Sequence, residues 1–344
     1  MFSNRSSIIL TIAFCAAIGA VSQVQAADEL VIGTFGGSFA EDTKSCHIAA
    51  FEKATGARAI ISLGSSVDMA AKIRATKDDP EIDLAYMDIS IAKQIKAEGL
   101  LESLNFSQLE SFDDVAPQAF DADGNFVTFM TAATVIAYNP ELVDTPPTSW
   151  ADLFDPKYKG RIALGDITGT SGMHFLLAVN KMKGGELDNQ DAGIAAIKSL
   201  MPSVAMLYTQ ADQIVQLFER GEVAMAPWYP DRIGSAADKG ISVAVAYPKE
   251  GAVGIQPTVS VPKGSKNRDL ALKYIDVLLS AEGQKCFAEK KYAGPVNTKV
   301  ELSDKVKAIV PFGDSYENLW YPDTDAVAKL RAGWTERWQR EVAR

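Results

Sequence analysis

The sequence predicts an α/β fold of two lobes, each a doubly wound sheet, joined by a hinge. Three observations lead there. At 344 residues the chain is long enough for about two domains. Past an N-terminal apolar run, its first hundred residues read strand, loop, helix three times over. Beyond Thr134 a second set of strands and helices begins. With 47% hydrophobic and 23% charged residues, composition excludes a disordered chain and leaves ample material for a core.

The N-terminus reads as a segment removed on export. Arg5 precedes the apolar run Ile8 to Val21, and Val24-Gln25-Ala26 supplies small residues for cleavage before Ala27. Residues 1–26 are therefore expected to be a secretory signal peptide, too short for a membrane span. Cys15 lies in that run without a lipoprotein-type cleavage motif. No other stretch approaches transmembrane length, so a soluble, exported mature protein is expected. The net charge of −10 becomes −11 once Arg5 is removed. That balance argues against nucleic acid or an anionic membrane surface as partner. Cys46 and Cys286 survive processing. In an oxidising compartment they form either a disulfide or two separate small core residues.

In the first lobe, Leu30 to Gly33 is an apolar strand, and Thr34-Phe35-Gly36-Gly37-Ser38-Phe39 is a glycine loop opening the helix Phe39 to Thr55. Gly56 fits the position after a helix end, where a left-handed backbone is needed. Ala57 to Leu63 is the second strand, followed by Gly64-Ser65-Ser66 and the helix Val67 to Thr76. Asp83 to Met87 is the third, leading through Asp88 and Ser90 into the helix Ile91 to Glu98. Ligands of such sheets bind beyond the carboxyl ends of the strands. Gly36-Gly37 lacks the G-x-G-x-x-G spacing of a dinucleotide site.

In the second lobe, the strand Thr134 to Tyr138 stops at Asn139-Pro140. Pro146-Pro147 stiffens the approach to a short helix with Ser149 as its N-cap ahead of Trp150, Leu153 and Phe154. Asp155-Pro156 closes that helix, Lys159-Gly160 turns the chain, and Arg161 to Leu164 is a buried-type strand. Gly165-Asp166 through Thr168-Gly169-Thr170-Ser171-Gly172 opens onto the helix Met173 to Lys183, a start that offers free N–H groups to a polar or anionic group. The helix Ala192 to Leu200, the strand Val204 to Tyr208 and the helix Ala211 to Arg220 follow. Glu222 to Ala226 is a strand ending in Pro227-Trp228-Tyr229-Pro230-Asp231-Arg232, and Ser242 to Tyr247 is another. A helix from Asp269 to Ser280 continues through Gln284 to Lys290. The last helix starts near Asp323, and Val327, Leu330, Trp334 and Trp338 form a stripe that packs onto a lobe. Trp-Tyr-Pro-Asp occurs at 228–231 and at 320–323, but unlike flanks argue against an internal repeat.

The words Tyr138-Asn139-Pro140, Pro147, Ser149-Trp150, Asp152-Leu153, Asp155-Pro156 and Lys159-Gly160-Arg161, before an apolar strand and Asp166, stand in register. Together they resemble the bacterial extracellular solute-binding proteins, the capture subunits of ABC importers, and most of all the branch containing the spermidine/putrescine-binding proteins. Val259 to Pro262 and Lys263 to Asn267 resemble that family's return to the first lobe. The resemblance implies the type II periplasmic-binding-protein fold, with lobe 1 formed by 27–133 and 257–310 and lobe 2 by 134–256 and 311–344. It implies capture of a small-molecule solute by hinge closure and delivery to an inner-membrane ABC permease. A periplasmic monomer is expected, with no cofactor, metal, catalysis or membrane insertion.

The cleft should be lined by loops at strand ends. From lobe 1 these are Gly37, Ser38, Phe39, Ser65, Ser66, Asp88 and Ser90. From lobe 2 they are Asp166, Thr168, Gly169, Thr170, Ser171, Trp228, Tyr229, Asp231 and Arg232, with Gln256 near the crossover. Trp228 and Tyr229 read as an aromatic wall for aliphatic or cationic ligand, or as packing at a strand end. Asp231 pairs either with a ligand amine or with Arg232. Asp88 and Asp166 read as ligand groups or as helix and turn caps. Polyamine binders place an aromatic and a carboxylate just before the Val259 segment, where this chain has Ile255-Gln256-Pro257. They also carry tryptophan and tyrosine where it has Phe35 and Phe39 with two glycines. A desolvated diamine needs compensation at both ends, so half of the amine box is missing. A zwitterion such as an opine or aminophosphonate fits comparably.

Other classes find less support. No adjacent tyrosine pair is present to hold ferric iron, and His47 and His174 match no zinc spacing. Gly169-Thr170-Ser171-Gly172 lacks the G-x-S-x-G spacing of a serine hydrolase. A sensor-type binding protein feeding a receptor remains the alternative to import.

Overall fold

A computed structural model describes residues 28–209 and 213–343. The expected signal peptide, Cys15 and part of the helix expected from Ala211 lie outside these residues. The strands in chain order are β1 Glu29–Thr34, β2 Arg58–Leu63, β3 Leu84–Asp88, β4 Val127–Thr128, β5 Ala132–Tyr138, β6 Ile162–Gly165, β7 Val204–Tyr208, β8 Met225–Trp228, β9 Ala244–Ala246, β10 Val253–Ile255 and β11 Pro257–Ser260. They form two sheets, and these define the two lobes. The first orders β2-β1-β3-β11-β4; the second orders β10-β5-β8-β6-β7, with β9 also on β5. In the first sheet β1 runs parallel to β2 and β3, while β11 is antiparallel to β3 and β4. In the second, β6 is parallel to β7 and β8, and β5 is antiparallel to β8.

Apolar runs explain the central strands. Leu84 to Met87 and Ile162 to Leu164 are buried throughout, as strands covered on both faces must be. The first core gathers Leu30, Ile32, Phe51, Phe129 and Tyr274 around Tyr86, whose hydroxyl meets that of Tyr274 at 2.8 Å. The second gathers Ile136, Trp150, Leu164 and Phe175, and it receives Trp334 and Trp338 from the C-terminal helix Thr324–Glu341. Ser149 caps the short helix Trp150–Phe154 in a capping box with Asp152. Gly56 ends its helix at φ 71°.

Several local readings shift. The helix expected over Phe39 to Thr55 is interrupted by a π-helical turn, Lys44–Ile48, which carries Cys46 to within disulfide reach of Cys286, with the Cα atoms 5.5 Å apart. The helix expected to run on from Asp269 breaks at Ser280, whose Oγ accepts from the Gly283 N–H to start a second helix, Ala281–Lys291. The strand expected over Glu222 to Ala226 lies over Met225–Trp228, because Val135 pairs with Trp228 across the ladder. β10 escapes a sequence reading, being three residues with a glycine at the centre.

Two short connections carry the chain between the sheets. Residues 129–131 separate β4 from β5, and Gln256 alone separates β10 from β11. The Gln256 carbonyl accepts from the Ile89 N–H at 3.1 Å, so this crossover also touches the start of the helix Ile89–Ala97.

Candidate functional site

A cavity of about 570 Å³ opens between the two sheets and is lined from both lobes. A larger groove, about 980 Å³, runs along residues Ser103 to Gly124 at the outer margin of lobe 1, away from the crossovers. The cavity is the candidate site, since it sits where β3, β8 and the helix Thr170–Met182 present their ends.

From lobe 1, Phe39, Asp88 and Ser90 line it. Asp88 occupies the N-cap position of Ile89–Ala97, yet its side chain makes no capping bond. Its Oδ2 instead accepts from Ser66 Oγ at 3.0 Å, and the same Oγ accepts from the Asp88 N–H at 3.0 Å. Ser66 thus orients the carboxylate without reaching the cavity. Ser65 caps the helix Ser66–Ala75 in a capping box with Asp68 and stays off the lining. Gly37 takes φ 64° at the start of its helix. Ser38 accepts from Lys291 Nζ at 2.7 Å, which holds that ammonium at the cavity wall.

From lobe 2, Thr170, Tyr229, Asp231 and Arg232 line the cavity, and Gln256 does so at the crossover. Trp228 does not. It is fully buried and stacks on Phe218 with ring centroids 6.0 Å apart, so the aromatic surface at this strand end is Tyr229 alone. Burial pushes the Tyr229 hydroxyl above its usual range, and hydrogen bonding with Ser171 and Thr170 pulls it back. Ser171 is itself buried, its Oγ accepting from the Tyr208 hydroxyl at 2.8 Å. Asp166 is buried too, and its Oδ1 accepts from Thr168 N–H at 2.9 Å and Thr168 Oγ1 at 2.6 Å. It stiffens the loop ahead of Gly169, the N-cap of Thr170–Met182. Asp166, Thr168, Gly169 and Ser171 therefore shape the helix start behind the wall.

Asp231 and Arg232 open the helix Pro230–Asp238 and pair at 3.6 Å. Burial raises the Asp231 carboxyl above its ordinary value, while Arg232 and Lys291 draw it back down.

The lining also holds residues that strand-end reasoning passed over. Met173, His174 and Leu177 follow the expected Thr170 at three- and four-residue spacing, one face of Thr170–Met182 turned to the cavity. His174 Nδ1 lies 2.9 Å from Thr134 Oγ1. Burial, with Arg331 nearby, lowers its pKa to about 4, so it is neutral near pH 7. Lys291 and Tyr292 enter from the end of Ala281–Lys291. Tyr321 to Arg331 close one side, with Thr324, Val327, Ala328 and Arg331 on a second helical face. The signal was in the sequence as that spacing, but the tryptophan stripe beside it drew the reading toward packing.

The charged side chains lining the cavity among the described residues are Asp88 and Asp231 against Arg232, Lys291 and Arg331. The cavity can therefore compensate an acid as well as an amine. No group of His, Cys, Asp and Glu among the described residues is arranged to hold a metal, and no helix among them is long and apolar enough to cross a membrane.

The chain as a whole is similar to known proteins. A family model described as bacterial extracellular solute-binding protein matches residues 47–311. The spermidine/putrescine-binding periplasmic protein of Escherichia coli is 29% identical over 297 residues, covering 81% of this chain and 84% of that one. The gamma-aminobutyric acid-binding protein of Pseudomonas aeruginosa is 25% identical, covering 86% and 83%. A crystal structure from Bordetella parapertussis, provisionally assigned as an extracellular solute-binding protein, superposes with a TM-score of 0.85 at 26% identity over 92% of this chain and 100% of that one.

Proposed function

This chain belongs to the bacterial extracellular solute-binding protein family, and on that premise we propose that it is the periplasmic capture subunit of an ABC importer for a small solute bearing both an amine and an acidic group. The observation that carries the choice of solute is the charge inventory of the cleft. Arg232, Lys291 and Arg331 outnumber Asp88 and Asp231 on its lining. A linear polycation would bring further positive charge against three cations in a partly desolvated space, where like charges repel strongly. A zwitterion meets both signs. Tyr229 then supplies a ring face for the aliphatic part of the solute or its ammonium.

A second reading has a specific observation behind it. Asp88 from one lobe and Asp231 from the other could each take one end of a diamine, as the similarity to the polyamine-binding protein of Escherichia coli would suggest. Asp231, however, already faces Arg232 and Lys291, and Ile255-Gln256-Pro257 adds no carboxylate.

In the favoured reading residues 1–26 are the leader removed on export, and the mature protein is a monomer. Lobe 1 spans 27–133 and 257–310, lobe 2 spans 134–256 and 311–344, and the connections at 129–131 and Gln256 act as the hinge. The solute passes to an inner-membrane permease with no chemical change.

A thermal-shift panel of the mature protein tests the reading, because a ligand bound only by the native state raises the melting temperature by mass action. Amino acids, opines, aminophosphonates and polyamines form the panel, after unfolding and refolding to strip co-purified solute. A rise with an acid-bearing amine is expected. A rise with polyamines alone would replace this reading with the second one.

A further inference from the structure

We propose that Arg331, on the C-terminal helix, recognises the acidic group of the solute. The inference rests on the zwitterion reading and names the residue that would enforce it.

Three features single out Arg331 among the cations of the cleft. First, its charge is not answered by an acid among the described residues. Arg232 pairs with Asp231, and Lys291 acts on the same carboxylate. Arg331 instead donates to the Thr168 carbonyl at 2.7 Å. That bond uses one of the five N–H donors of a guanidinium, whose planar fork matches a carboxylate or phosphonate in two parallel bonds.

Second, the bond to Thr168 sets the guanidinium beside the start of Thr170–Met182, one residue before its N-cap Gly169. The positive end of that helix favours a negative group, and so does the cation. Next to them His174 is neutral, so it can contribute a hydrogen bond without repelling an amine. The same wall carries Tyr321, whose buried hydroxyl finds no partner among the described residues.

Third, Arg331 stands on a firm base. Its helix begins at Asp323, which accepts from Asp325 N–H at 2.9 Å and Ala326 N–H at 3.1 Å. Within two turns beyond Arg331 the helix is anchored by buried Trp334 and Trp338, and Arg337 bonds Asp191 at 2.8 Å. A recognition group held this way loses little freedom on binding. The wall from Tyr321 to Arg331 lies beyond the segment 47–311 that matches the family model.

Calorimetric affinities of the refolded mature protein, its R331Q and R331K variants, and a K329Q control test the proposal. The probes are 4-aminobutyrate and 2-aminoethylphosphonate, which bear an acid, and 1,4-diaminobutane, which does not. R331Q should weaken the acid-bearing probe that wild type takes by about 10- to 100-fold, the range for a hydrogen bond to a charged group. R331K should recover part of the loss, K329Q should bind as wild type, and all variants should melt with wild type in the absence of probe. An R331Q affinity within threefold of wild type would overturn the role of Arg331 while leaving the zwitterion reading intact. Wild type that takes 1,4-diaminobutane and neither acid-bearing probe would defeat the reading, and the role of Arg331 with it.

Discussion

The Tyr292 hydroxyl sits 2.8 Å from both carboxylate oxygens of Asp238 and donates to them, linking the end of Ala281–Lys291 in one lobe to the end of Pro230–Asp238 in the other. Among the described residues Tyr292 alone departs from glycine at positive φ, at 51°. Its ring lies against Gly234, where a Cβ would come within 2.4 Å of it. A left-handed tyrosine costs about 1 kcal/mol or more, so the contacts of ring and hydroxyl offset a backbone penalty.

Y292F and D238N should therefore be non-additive, with a coupling of about 1 kcal/mol in urea unfolding. Lys305, and then Tyr292, hold the Asp238 carboxyl below its usual range. Its contribution is present above the ordinary carboxylate value and fades as pH falls through the lowered one. The Y292F effect should thus hold down to the ordinary carboxylate range and shrink only as pH falls through the lowered value. An effect that stays equal to its pH 7 size well below that lowered value would contradict the link.

Trp228 tests where the aromatic wall lies. W228A should cost about 3–5 kcal/mol as a core truncation, while W228F, keeping the stack on Phe218, should leave solute affinity within about threefold. Y229A should lose affinity with a smaller cost in stability, being only half-buried at the cavity. If W228F lost affinity as Y229A does, the tryptophan would have to reach the solute.

The bond between Cys46 and Cys286 closes a loop of 240 residues. Its removal in C46A/C286A should lower stability by about 2–5 kcal/mol. Reduction of the wild type should reproduce the loss, read as a lower urea midpoint.

His47 is fully buried, with Nε2 3.2 Å from the Gly283 carbonyl. Burial lowers its pKa to about 4 against 6.5 in the unfolded chain. Between those values the unfolded state binds more protons, so stability falls as the pH drops from about 6.5 toward 4. The full loss for this residue is at most about 3 kcal/mol. H47N should flatten the pH slope of the urea midpoint between pH 4.5 and pH 7.5. An unchanged slope would mean the imidazole already protonates in the native state.

The fold was legible because it rests on local signals that packing reinforces. Alternating strands and helices, the Ser149 capping box and the left-handed Gly56 are each decided by neighbouring residues. The site was legible only in part. Strand-end loops led to Asp88, Thr170, Tyr229, Asp231 and Gln256 on the cavity lining. They could not distinguish Asp88, which faces the cavity, from Asp166, which turns back on Thr168. Trp228 and Tyr229 are adjacent, and the two-residue shift of β8 decided which one is buried. Lys291 and Arg331 come from helices far along the chain. Their place in the cavity depends on how those helices dock, which no local pattern reveals.

The most direct measurement is calorimetric titration of the refolded mature protein with 4-aminobutyrate and with 1,4-diaminobutane, two amines of similar length that differ at one end. A cleft lined by Asp88 and Asp231 against Arg232, Lys291 and Arg331 should bind the amino acid more tightly by at least tenfold. Tighter binding of the diamine would contradict the zwitterion reading and return the cleft to a polyamine site.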